Sequence, residues 1–176
     1  MPRLTGIYER AKVPENKGEV YDYIIETRGR MLDMYAALLH SPEIAGRIAH
    51  VGSFFKFESI LPKKTLALLA STISAELDNK YEQNVHGQMA LKQGASQLTI
   101  DAVSKKTDLT GLPEDEALPV RCARELGRDH QLSDASFAAA QKAFGDKGVV
   151  EMISAISFFG MLAFAQNALQ AHAPHN

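Results

Sequence analysis

The chain has 176 residues, 19 Lys+Arg against 21 Asp+Glu, a formal net charge of −2 and 45% hydrophobic residues. That length suits one domain of ordinary size, the apolar content excludes global disorder, and the near-neutral balance excludes a general electrostatic pull toward nucleic acid or an anionic membrane. A single cysteine, Cys122, excludes an internal disulfide, a two-thiol redox couple within the chain and a four-cysteine zinc site.

The opening residues Met1 to Gly6 carry no apolar secretory stretch, and one thiol fits a cytoplasmic location. Asn16 and Glu19 have capping-box spacing and predict a helix carrying Tyr21, Ile24, Ile25, Met31, Met34, Leu38 and Leu39. Ser41-Pro42-Glu43 reads as N-cap, N1 proline and early acid, opening a helix through about residue 55. Leu61-Pro62 starts another, running through Leu66, Leu69, Ile73 and Leu77. A fourth covers about 78–93 and stops at Gly94, a residue suited to a helix C-terminus. Ser96 caps a short helix to Val103.

The polar stretch 105–116, with Gly111 and Pro113, reads as a surface loop. Pro119 places the start of the following helix at or after itself. Ser133 caps a helix over 134–144, and Gly145-Asp146-Lys147-Gly148 leads into a long apolar helix ending near Gln170. The charge-free run 152–168 sits at the lower length limit for a membrane span. It reads instead as a buried central or subunit-contact helix, because hydrophobicity all round implies cover all round. No run alternates with period two. The expected fold is all-α, six to eight helices in one domain, with residues 1–15 and the His172/His175 tail peripheral.

One segment can carry chemistry: Asp78-Asn79-Lys80-Tyr81-Glu82-Gln83-Asn84-Val85-His86. At about 100° per residue, Tyr81, Val85 and Met89 form one apolar stripe, with Glu82 beside it and His86 along its edge. Glu82 and His86 are four apart, so their side chains can touch. A carboxylate beside an imidazole is an acid–base pair: the acid orients the ring, and the ring moves a proton near neutral pH. The plain structural alternative is a solvated helix edge, and Tyr81 taken alone reads as a core position. The aromatic-rich helix end around Phe57 reads as core or as the wall of a binding pocket. Cys122 reads as a packing residue. No phosphate loop, zinc-type cluster or nucleophile elbow is present in the sequence.

The run Tyr81-Glu82, His86, Ala90 and Gly94 resembles the Tyr-Glu-Trp-x-x-His segment of the carboxymuconolactone decarboxylase-like family. His40-Ser41-Pro42-Glu43, Phe57-Glu58-Ser59 with Leu61-Pro62, and Gly148-Val149-Val150-Glu151 through Asn167-Ala168-Leu169 are similar to its long single-domain members. The resemblance implies an alkylhydroperoxidase-type helical fold, a homo-oligomer and active sites near subunit interfaces. The peroxidase branch of that family uses Cys-x-x-Cys-x-x-x-His, and here the cysteine slots hold Asn79 and Glu82, so its thiol chemistry is missing. The resemblance then implies a cofactor-free, metal-free lyase or isomerase acting on a small carboxylated lactone or related aromatic catabolite. In it His86 is the proton donor, Glu82 its orienting partner, Tyr81 the oxyanion hydrogen-bond donor, and Phe57 and Asn79 contact substrate. The alternative is a non-catalytic helical oligomer that binds a small ligand.

Overall fold

A computed structural model describes residues 2–171, so the tail histidines His172 and His175 lie outside the described residues. Those residues form eight α-helices and no strand: α1 (Gly18–Arg28), α2 (Asp33–Leu38), α3 (Pro42–Phe57), α4 (Lys63–Glu76), α5 (Lys80–Lys92), α6 (Gln97–Lys105), α7 (Glu114–Arg128) and α8 (Asp134–Leu169). They gather into two compact units, one of residues up to Glu58 with those from Phe164 onward, the other Ser59–Ala163.

In the first unit the expected helix through residues 21–39 is two helices. Gly29, at φ 79, takes the left-handed conformation that ends α1, and its N–H closes onto the Ile25 carbonyl at 2.7 Å. The Asn16/Glu19 capping box does not form: residues 15–17 make a 3₁₀ turn and α1 begins at Gly18 with no side-chain cap. Val13, Ile24, Tyr35, Leu39, Ala45 and Ala49 make this unit's core. Arg28 ties its three helices together, donating to Ser53 Oγ, to the Tyr35 hydroxyl and to the Ala49 carbonyl at 2.9–3.2 Å.

The second unit is built around α4. Its residues Thr65 to Ala75 are buried without interruption, so this helix is covered on every side. At about 1.5–3 kcal/mol for each large aliphatic side chain removed from water, Leu66, Leu68, Leu69 and Ile73 make it the main source of stability here. α5, α6 and α7 pack around it, and glycines bring two helices close. An added Cβ at Gly127 of α7 would meet Ile73 and Glu76 at 3.1 Å, and one at Gly160 of α8 would meet Ile73 at 3.4 Å. Ser59 Oγ and the Ile60 N–H donate to Glu151 Oε2 at 2.7 and 2.9 Å, joining two segments far apart in sequence.

Pro119 does not start its helix; it stands fully buried inside α7, which begins at Glu114. One turn from the N-terminus a proline forfeits a single intrahelical bond, and burial of the flanking apolar residues outweighs that loss. The break expected at Gly145 is present: φ 68, ψ 177 interrupts α8 there. α8 is long and apolar enough to cross a membrane by length and composition, but half of its most apolar window is buried within the protein.

Buried Glu116 organises the start of α6, accepting from Ser96 N and Oγ and from Thr99 Oγ1, with Lys64 Nζ at 3.4 Å. Burial pushes its carboxyl up, but these donors outweigh that and hold it below the usual carboxylate range. A carboxylate depressed in the fold contributes stability above its unfolded pKa, and that contribution is lost as pH falls through the folded value. Glu116→Gln is therefore expected to cost about 2 kcal/mol at pH 7 and to flatten the loss of stability below about pH 4, measured by urea unfolding at both pH values.

Candidate functional site

The site rests on how α5 is started. Asp78, at φ 55, turns the chain out of α4, and a short polar side chain is among the few that tolerate this region. Asn79 is buried, and its Oδ1 accepts the Glu82 N–H at 3.0 Å, capping the helix. Glu82 then lies in the first turn, where the helix dipole favours negative charge.

One turn later, His86 Nε2 is 3.2 Å from Glu82 Oε2, and the two side chains are 16% and 19% exposed. The pair is sheltered. The imidazole stands edge-on to Phe159 of α8, with centroids 5.0 Å apart and planes at 65°. Because Nε2 faces a carboxylate, it carries the hydrogen in the neutral ring, and Nδ1 is the nitrogen available to accept a proton. A proton carried at Nδ1 can be passed to a substrate carbon or oxygen.

The apolar stripe of the same helix, beside the pair, is open to solvent. Tyr81, Val85 and Met89 are 45%, 39% and 49% exposed, so Tyr81 is not a core residue. The faces of α5 are inverted relative to an ordinary amphipathic helix: apolar groups meet solvent while the acid–base pair is covered. Packing explains it, since the inward side belongs to Gly87 and Ala90, whose small size lets α5 lie against α4. Phe57 closes α3 in the first unit and is 60% exposed, with the Lys56 ammonium 5.0 Å above its ring. Its neighbour Phe55 takes the buried position instead. His40 Nε2 lies 2.8 Å from the Thr5 carbonyl oxygen.

Two residues next to the pair were not singled out in the sequence. Ser71 of α4 donates its hydroxyl to the Gln83 carbonyl at 2.9 Å, fastening α5 beside the pair, and Phe159 supplies the aromatic wall. Neither has a local signal, because both act across helices. A shallow concavity lined by Leu98, Asp101, Lys105, Thr107, Asp108 and Leu112 belongs to α6 and the loop after it, and no α5 residue lines it.

Residues 42–115 match the model of the Carboxymuconolactone decarboxylase family. No curated protein matches the chain. Among solved structures the chain is similar to an uncharacterized peroxidase-related protein from Ralstonia eutropha JMP134 with an alkylhydroperoxidase AhpD core. The two share 19% identity and a TM-score of 0.75 over 99% of this chain and 93% of that one, a likeness of fold.

Proposed function

We propose that this chain, a carboxymuconolactone decarboxylase-like protein with an alkylhydroperoxidase-like helical fold, is a cofactor-free lyase or isomerase. Its substrate is a small carboxylated lactone or related aromatic catabolite. The observation that carries this reading is the covered Glu82–His86 pair on a helix whose apolar side faces outward. Local rules broken in this way are expected at functional sites.

Loss of carbon dioxide from such a lactone pushes its bonding electrons through a conjugated double bond onto the carbonyl, giving a dienolate. The dienolate must then be protonated on carbon. His86, protonated at Nδ1 and held by Glu82, delivers that proton, and the Tyr81 phenol donates a hydrogen bond to the developing oxyanion. Shifting a double bond uses the same groups, with Nδ1 first as base and then as acid. Asn79, expected to contact substrate, is buried under the cap described above and acts by fixing the start of α5.

The family's other chemistry, thiol-dependent peroxide reduction, lacks its nucleophile. Cys122 is fully buried on α7, and burial pushes its thiol up to about 11, so little thiolate is present near neutral pH. Native protein is expected to resist thiol alkylation at pH 8 and to react only once unfolded. Rapid labelling of the native form, or peroxide consumption abolished by Cys122→Ser, would restore the peroxidase reading.

The same reading includes a cytoplasmic homo-oligomer, supported by exposed apolar side chains on α5 and by Val150 and Met161 on α8. The test of function is a panel of carboxylated lactones and ring-cleavage acids. A true ligand at 100 times its Kd stabilises the fold by about 2.7 kcal/mol, read as a raised melting temperature, and stabilising compounds are then followed for loss of carbon dioxide or isomerisation. A panel in which nothing binds and nothing turns over rejects the reading.

A further inference from the structure

We infer that Phe159 is a positioning residue for His86: its ring, packed crosswise against the imidazole, fixes it so that Nε2 stays on Glu82 and Nδ1 stays available. The inference rests on the catalytic reading for its purpose, but the geometry behind it is independent of any substrate.

A carboxylate one turn back on the same helix is a weak and flexible tether, because two long side chains must both be ordered to make one contact. Glu82 alone therefore leaves the imidazole free to swing about its side-chain torsions. A second restraint has to come from another element, and Phe159 supplies it at 5.0 Å and 65°, an edge-to-face geometry that aromatic rings favour. Phe159 is itself backed by Phe158, edge-on at 5.3 Å and 71°, and Phe158 is buried.

The backbones beneath the two rings are registered on one helix. Gly87 follows His86, and a Cβ there would lie 3.5 Å from Ser71 Oγ of α4. Gly160 follows Phe159, and a Cβ there would lie 3.4 Å from Ile73 and 3.7 Å from Leu77. At each glycine a Cβ would sit in ordinary contact with side chains of α4, so the helices carrying the two rings both lean on α4 beside them.

The test reads the ring directly, by ¹⁵N NMR of the His86 imidazole in the ligand-free protein at a pH where the ring is neutral. Wild type is expected to show the pattern of a single Nε2–H tautomer. Phe159→Ala is expected to move both nitrogen signals toward the mixed values of a free imidazole, and Phe159→Tyr, which keeps the ring, to restore them. Melting temperature serves as the control, since a purely structural role lowers stability without moving the tautomer. Unchanged nitrogen shifts in folded Phe159→Ala overturn the inference. If that variant does not fold, Phe159→Leu decides: it fills the space without an aromatic edge, and wild-type shifts there also overturn it. Failure of the catalytic reading looks different, because it leaves the tautomer result standing while no substrate is turned over.

Discussion

Replacing His86 by alanine is expected to slow turnover of a carboxylated lactone by about 10²–10⁴-fold, the usual contribution of a positioned general acid. The reason is the chemistry of the second half of the reaction. A dienolate released into water collects its proton from solvent, without a donor held against the correct carbon. In the proposed reaction His86, with Nε2 on Glu82, supplies that donor from Nδ1. Its proton moves only in the transition state, so kcat and kcat/KM should fall together while substrate affinity holds. Glu82→Gln keeps the hydrogen bond but removes the compensating charge, and should give a smaller loss of the same kind. Steady-state kinetics on a substrate found by the ligand panel checks both. Full activity in His86→Ala would remove the imidazole from the mechanism, whatever the fold.

The largest effect on stability is expected at Glu76, at the end of α4. Its buried carboxylate accepts two hydrogen bonds from Arg128, at 2.7 Å each, and lies 3.6 Å from Arg124 Nε. Arg124 is nearly covered, and its other nitrogens donate to the Thr107 and Ala102 carbonyls at 2.5 and 2.9 Å. Burial, with Arg128 nearby, pushes the Arg124 guanidinium below its ordinary range, and Glu76, ahead of Asp108, opposes this. Glu76→Ala leaves a covered cation unpaired and should cost about 3–5 kcal/mol in urea unfolding. Arg128→Ala is the contrast, because that side chain is half in water and Arg124 remains beside Glu76; about 1 kcal/mol is expected. Equal costs for the two variants would show that burial of Arg124 is not what makes the cluster expensive to break.

The helical architecture was legible because its signals are local. Pro42, the Ser96 cap, Gly94 and the Ser133 start all act within one turn, and the structure places helix ends where they point. Errors arose where a local signal was overruled. The periodicity from Tyr21 to Leu39 runs across Gly29, which a period count ignores but whose left-handed backbone ends the helix. Pro119 sits inside a helix already under way, because burial of its apolar neighbours outweighs the one backbone bond it forfeits. At the site, the contact between Glu82 and His86 followed from spacing alone. The direction it faces did not, since an apolar stripe such as Tyr81, Val85 and Met89 ordinarily marks the buried side. Only the close approach of Gly87 and Ala90 to α4, a relation between helices, turns that stripe outward. Phe159 was hidden for the same reason: in sequence it is one aromatic in a long apolar run.

The uninterrupted cover of α4 has a consequence for how such a protein can change. A helix with no wet side has no spare position: enlarging any residue from Thr65 to Ala75 displaces a neighbouring helix, and trimming one opens a void. Ser71 and Ile73 also lie against the helices that carry the imidazole and its aromatic wall, so substitutions along this stretch will be screened by foldability before catalysis is tested at all. Diversification of substrate preference is left to the outward positions of α5 and α8, where Val85 and Met161 can be exchanged at little structural risk.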